Sequence, residues 1–241
     1  METIKICIAG LGNVGSFVVD SLIQNKKYIS DNSCVKFEIN GISAKNRNKK
    51  RIFNSNNFKW YENPFDLINN SKSDVFIELI GTENGISYKL IKIALNKKLH
   101  VITANKALLA KHGNELFKIA ERNKVLLLFE ASVAGGLPII RVVKQSLFLN
   151  KIKKVSGILN GTTNFILSEM YKTNIDFKNA LTKAQNNGYA EADPNNDIEG
   201  IDTAHKLSIL SVVCFGVKFN FDNVIYKGIS NINNQDILFA K

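Results

Sequence analysis

The chain has 241 residues, 45% of them apolar and 22% charged, a profile that fits a globular protein with a packed core and excludes disordered, collagen-like and coiled-coil chains. The formal net charge is +11, yet 28 of the 32 basic residues are Lys. Only Arg47, Arg51, Arg122 and Arg141 carry the guanidinium suited to bidentate phosphate and base reading, so no nucleic-acid partner is expected. Three scattered cysteines, Cys7, Cys34 and Cys214, form no C-x-x-C pair; they support neither a disulfide framework nor a zinc site and suit a reducing, cytoplasmic setting.

The elements begin with an apolar run at 4–9, read as a strand, then glycines at 10, 12 and 15 and a helical pattern over 15–25. Those glycines, with Glu2 and Lys5, interrupt any secretory leader. Further strands are predicted at 35–43, 75–79, 99–103 and 125–129, with helices at 86–96 and 107–123 between them. Strand and helix in alternation mean βαβ units and a doubly wound parallel sheet; the unbroken apolar run at 125–129 suits a strand covered on both faces.

Beyond 134 the rhythm changes. A glycine turn at 134–138 leads into a helix over 139–149, a strand over 152–159, helices at 163–171 and 177–187, a polar loop over 188–200 and an apolar helix over 201–215. Two domains are expected, a nucleotide-binding one over 1–134 and an α+β substrate domain over 135–241 that is incomplete. The longest nearly apolar stretch, 207–217, is too short to span a bilayer as a helix, so no membrane partner is expected.

Three features carry chemistry. Gly10-Leu11-Gly12-Asn13-Val14-Gly15 lies between a strand and a helix, the setting in which G-x-G-x-x-G binds a dinucleotide. The first glycine allows the turn, the second lets backbone approach the pyrophosphate, and the third lets helix and strand pack. No acid ends the second strand, which runs into Ser43-Ala44-Lys45-Asn46-Arg47. Lys45 or Arg47 could pair with a 2′-phosphate, leaning the cofactor toward NADP with NAD possible; a solvated basic loop explains the same residues equally well. The second feature is Thr103-Ala104-Asn105-Lys106 at a strand's carboxyl end, where Lys106 either meets ligand or is merely exposed.

The third feature is Gly188-Tyr189-Ala190-Glu191-Ala192-Asp193-Pro194 with Asp197, Glu199, Asp202 and Lys206. Four acids between Glu191 and Glu199 would hold a ligand's ammonium group. Asp202 and Lys206 stand at i and i+4 on a helix apolar nearly all round, hence expected to be buried. Either they form an ion pair that satisfies itself, or Lys206, partly desolvated, is set up for proton transfer.

Taken together these segments resemble one family, homoserine dehydrogenase. The resemblance runs through 10–15, Glu78-Leu-Ile-Gly-Thr82, Thr103-Ala-Asn-Lys-Ala107, Phe129-Glu-Ala-Ser-Val-Ala-Gly-Gly136, Gly157-Ile-Leu-Asn-Gly-Thr-Thr-Asn164, the Gly188 segment and Glu199-Gly-Ile-Asp-Thr-Ala-His-Lys206. It implies reversible NAD(P)-dependent interconversion of L-homoserine and L-aspartate 4-semialdehyde, on the route to threonine and methionine. It implies Lys206 as proton donor and acceptor, Lys106 as the lysine touching cofactor and substrate, and Glu191 and Asp202 as the grip on the substrate's amino group. Cofactor contacts are implied at Gly10, Gly12, Asn13, Val14, Gly15, Thr82, Asn105 and Gly188. A sodium or potassium ion is implied on the backbone of Glu130, Val133, Gly135 and Leu137. A homodimer is implied if the second domain is complete; the resemblance stops part-way through that domain, so a nucleotide-binding piece that needs a partner, or another Rossmann dehydrogenase of a small hydroxy or amino acid, remain alternatives.

Overall fold

In the computed structural model, residues 1–240 are described, and the chain divides into two compact units, Met1–Arg141 and Val142–Lys241. The first opens with β1 (Glu2–Ala9), whose apolar half, Ile6 to Ala9, is fully enclosed. A strand apolar on both faces belongs in the middle of a covered sheet. β1 does pair in parallel with both β2 (Val35–Ser43) and β3 (Val75–Glu78). β4 (His100–Thr103) and β5 (Leu127–Leu128) complete a parallel sheet in the order β2-β1-β3-β4-β5. The registers align Ser43, Ala9, Glu78 and Thr103 in one row at the carboxyl edge. At the β1–β2 register shift stands Gly41, where a β-carbon would come within 2.7 Å of Tyr61.

Around the sheet lie α1 (Asn13–Gln24), α2 (Lys26–Ser33), α3 (Pro64–Asn70), α4 (Ile86–Asn96), α5 (Lys106–Asn123) and the single turn α6 (Ile139–Arg141). α2 buries no residue, so it left no apolar stripe to read. α3 is marked only by Pro64 at its start and by Asn63, which accepts from the Phe65 N–H.

β5 is a correction to the five-residue strand expected at 125–129. Lys124 adopts a left-handed conformation and the Val125 N–H returns to the Ala120 carbonyl, so the end of α5 consumes that residue. At the other end Phe129 opens a 3-10 turn. Nor is the strand covered on both faces, since Leu126 and Leu128 are exposed at the sheet edge. The first unit also runs on past 134, because the Glu130 carboxyl group accepts from the backbone N–H of Ile140 (2.9 Å) and Arg141 (3.0 Å).

In the second unit the helix expected over 139–149 gives way to a π-helical turn, Val142–Ser146. α7 (Gly161–Thr173), α8 (Phe177–Asn186) and α9 (Asn195–Ile198) pack through Ile166, Met170, Ala180, Ala184 and Ile198. α10 (Ile201–Phe215) and α11 (Asn234–Phe239) follow. Residues 152–159, expected as a strand, form none. They take no regular structure and are mostly exposed, and among the described residues of this unit there is no strand to receive their hydrogen bonds. The loop at 188–200 contains the short α9. α10 buries one side, through Ala204, His205, Ser208, Ile209 and Leu210, whereas Leu207 and Phe215 are exposed, contrary to a helix enclosed all round.

Candidate active site

The first candidate site lies above the row Ser43–Ala9–Glu78–Thr103. Chain direction forces a tight turn at Gly10 (φ 95°), where a β-carbon would stand 2.3 Å from the Leu79 carbonyl. At Gly15 a β-carbon would meet the Gly10 carbonyl oxygen at 1.9 Å. Gly12 differs: nothing lies within 4 Å of its missing β-carbon. Protein packing therefore does not require glycine there, and the empty space fits a ligand that approaches the backbone. Gly12 precedes α1 without a side-chain cap, and the first turn carries no acid, so the N-terminal amide groups of α1 can bind an anion.

Gly10, Gly12 and Lys45 line one cavity of about 510 Å³, within the range of small-molecule sites. Lys49 and Arg51 line it too. Arg51 donates to the carbonyls of Asn46 (2.6 Å), Lys49 (2.9 Å) and Arg47 (3.0 Å) and lies over Trp60 at 5.2 Å, which staples the basic loop. Desolvation pulls its pKa below the usual arginine value. Arg47 turns to Glu62 (3.7 Å), the single carboxylate among the described lining residues, and is not itself in the wall. Of the two basic residues the sequence left open, Lys45 thus faces the cavity. Lys49 and Arg51 were missed because no short motif marks them.

Asn13 and Val14, in the first turn of α1, are exposed. Thr82 sits in the loop after β3, its carbonyl accepting from the Asn105 side-chain amide at 2.7 Å. The Asn105 oxygen caps α5 by accepting from the Leu108 N–H, and Lys106 is the first residue of that helix. Behind the loop, Lys111 pairs with Glu83 (3.0 Å) and His112 bonds Asn84 (2.9 Å) while its ring packs on Tyr88. Burial first, and the Lys111 charge second, hold the His112 pKa below its usual value.

The second candidate site is on α10. The Lys206 ammonium lies 2.6 Å from an Asp202 carboxylate oxygen and donates to the Leu159 carbonyl at 2.8 Å. The pair is largely enclosed, with 21% of the Lys206 side chain and 9% of the Asp202 side chain exposed. Asn160, unassigned in the sequence reading although its segment was singled out, donates to Asp202 (3.0 Å) and Asp197 (2.7 Å). Its oxygen accepts from the Thr163 N–H and so caps α7. Glu191 is exposed and touches this cluster through no hydrogen bond; only its backbone carbonyl is engaged, by Gln185. Gly188 (φ 74°) ends α8, a position that favours glycine without any ligand.

The expected cation loop, Glu130, Val133, Gly135 and Leu137, carries some hydrogen bonds of its own. Both Glu130 carboxyl oxygens serve α6, and the Leu137 carbonyl accepts from Ile139. Among the described residues no cluster of His, Cys, Asp and Glu could hold a metal, and no helix is long and apolar enough to cross a membrane.

A parallel sheet whose first strand ends in a glycine turn against an uncapped helix defines a dinucleotide-binding α/β protein of the Rossmann type. Residues 10–130 match the family model described as "Homoserine dehydrogenase, NAD binding domain", and residues 138–241 match "Homoserine dehydrogenase". The homoserine dehydrogenase of Pseudomonas aeruginosa is 41% identical over 240 residues, covering 100% of this chain and 55% of that protein. That of Neisseria gonorrhoeae is 41% identical over 241 residues, with the same coverages. The crystal structure of a homoserine dehydrogenase from Thiobacillus denitrificans superposes with a TM-score of 0.93 at 40% identity, covering 100% of this chain and 55% of that one. The chain belongs to the homoserine dehydrogenase family and carries its nicotinamide-nucleotide-binding domain. It spans about half the length of the curated relatives it matches.

Proposed function

We propose that the chain takes part in the reversible NAD(P)-dependent interconversion of L-homoserine and L-aspartate 4-semialdehyde, in a reducing cytoplasm. Residues 1–134 would bind the nucleotide and 135–241 the substrate. The observation that carries this reading is the Lys206 ammonium, held by Asp202 and Leu159 on a largely enclosed helix face. When bound, the nicotinamide supplies a hydride acceptor or donor. As the neutral amine, Lys206 takes the hydroxyl proton while the alcohol is oxidised, and as the ammonium it returns that proton to the oxygen in the reverse direction. Asp202 and Asn160 fix where that ammonium stands, and Asp202 is assigned, together with Glu191, to the substrate's amino group. Lys106 adds positive charge where an alkoxide would develop.

The glycine turn, Asn13, Val14, Thr82, Asn105 and Gly188 are assigned to the cofactor. Lys45 and Lys49 in the cavity wall, with no carboxylate among the described residues in an ion pair with either, favour NADP over NAD. A monovalent cation on the backbone of Glu130, Val133, Gly135 and Leu137 belongs to the same reading, and no step depends on it. The test is a homoserine-dependent reduction assay with NADP and NAD. Lys206→Ala is expected to abolish turnover and to leave nucleotide affinity within about twofold; turnover equal to wild type overturns the assignment.

A second reading has its own observation. Phe148, Leu149 and Ile158 are 77%, 93% and 75% exposed, beside a stretch without strand pairing. A chain that binds cofactor but turns over only with a second copy or a partner over this region accounts for them; activity rising with protein concentration would favour it.

A further inference from the structure

Glu78 is fully buried at the carboxyl end of β3, and no described cation pairs with it. A buried carboxyl group is costly unless its oxygens are hydrogen-bonded, and here four donors converge on it. Oε1 accepts from the backbone N–H of Ile80 (2.9 Å) and Gly81 (3.0 Å) and from the Ser87 hydroxyl (2.8 Å). Oε2 accepts from the Thr103 hydroxyl at 2.7 Å. The same Thr103 oxygen accepts from the Asn105 N–H at 3.0 Å.

Ile80 and Gly81 belong to the loop after β3, Ser87 to the first turn of α4 that follows it, and Thr103 to the end of β4, where the loop 104–105 begins. The two loops are joined again one layer further out, where Asn105 donates to the Thr82 carbonyl (2.7 Å) and the Thr82 and Ser87 hydroxyls meet at 2.8 Å. The inner side of the first loop has no slack, because Leu79 and Ile80 pass 2.3 and 2.5 Å from where a Gly10 β-carbon would be. The glycine turn and Lys45, on the β1–β2 side of the cavity, make no hydrogen bond to Glu78.

We infer that Glu78 is a positioning residue for the nicotinamide half of the cofactor. In a doubly wound sheet the dinucleotide crosses the point where strand order reverses, here between β1 and β3. Its adenosine half then lies toward β2, and its nicotinamide half lies over the loops that Glu78 holds. The inference rests on the nucleotide-binding reading and adds the residue that sets the height of one lip of the crevice.

The experiment measures, by titration calorimetry on the full chain, the affinities for NADPH and for 2′,5′-ADP, which carries only the adenosine half; NADH and ADP form a second pair. In Glu78→Gln the amide NH₂ must face either two backbone N–H groups or the Thr103 hydroxyl, whose own O–H then loses its acceptor, so the tie between the two loops is weakened. Expected is a loss of tenfold or more in NADPH affinity, with 2′,5′-ADP affinity within twofold of wild type. Thr103→Val and Ser87→Ala each delete one bond to Glu78, together with the bond to Asn105 or to Thr82, with little change of shape, and are expected to move the same ratio in the same direction by a smaller factor, which keeps the test open if Glu78→Gln does not fold. A purely structural role would weaken both ligands together or neither, and an unchanged ratio in the variants that fold overturns the inference. Failure of the wild-type chain to bind any of the four ligands would overturn the nucleotide reading and this inference with it; normal wild-type binding with an unchanged ratio overturns this inference alone.

Discussion

Gly10 and Gly12 stand two residues apart in one turn, yet the structure assigns them different consequences when each becomes alanine. In Gly10→Ala the new methyl would lie 2.3 Å from Leu79, against an ordinary contact of 3.4 Å or more, so backbone must move by about 1 Å. A non-glycine residue at φ 95° also costs about 1–2 kcal/mol. The displaced segment carries the Leu79 N–H to Ala9 bond (2.8 Å) and the Ile80 N–H to Glu78 bond (2.9 Å). Weakening these adds about 2–3 kcal/mol. The sum, about 3–5 kcal/mol, should lower the unfolding midpoint of the first unit by about 10–15 °C. Gly12→Ala meets no atom within 4 Å at an ordinary φ of −74°, so it should cost about 1 kcal/mol or less in stability. Its methyl instead occupies the approach to the uncapped amides of α1 and should weaken nucleotide binding at least tenfold, about 1.4 kcal/mol. Circular dichroism melts and NADPH titrations on the same preparations separate the two effects. Wild-type nucleotide affinity in Gly12→Ala, or a Gly10→Ala melt within two or three degrees of wild type, would refute the reasoning.

Lys45→Ala should reduce NADP affinity about tenfold and flatten its salt dependence while leaving NAD binding unchanged; equal losses for both nucleotides would remove the 2′-phosphate role. Asn160→Ala removes the α7 cap and donors to two carboxylates, and a loss of about 2–4 kcal/mol is expected in urea unfolding. Because His112 has a depressed pKa in the folded state, the folded chain binds fewer protons than the unfolded one near pH 6. Its contribution to stability is therefore complete above about pH 6.5 and is lost as pH falls through the lower folded value. The melting temperature of wild type should drop more than that of His112→Gln between pH 7.5 and 5, and parallel profiles would count against the assignment.

Much of the sheet was legible because its strands are continuous apolar runs, and a run covered on both faces has the same appearance in sequence as in space. The strand at 35–43 and the helices at 86–96 and 201–215 coincide with the observed elements because their apolar residues recur at strand or helix spacing, and Gly200 and Gly216, both left-handed, bound the last of them. The glycine turn was legible because its residues interact with near neighbours in the chain. The i, i+4 spacing of Asp202 and Lys206 likewise brings the two side chains together within one helix.

What lay beyond the sequence depends on partners distant along the chain. The 152–159 segment has the composition of a strand, but a strand exists only where another accepts its hydrogen bonds. β5 contracts because the end of α5 and the following turn claim its flanks. Asn160 meets Asp197 and Asp202 across 37 and 42 residues, and Glu78 reaches Thr103 across 25. No local pattern records such distances. The sequence by itself determined the alternating α/β order, the nucleotide turn and the Asp202–Lys206 pair, because each rests on spacing along one element. Tertiary structure alone decided that Lys45 rather than Arg47 faces the cavity, that Gly10 answers to Leu79 while Gly12 answers to empty space, and that a buried glutamate joins two loops. In each case a group far along the chain arrives within contact distance, and only folding brings it there.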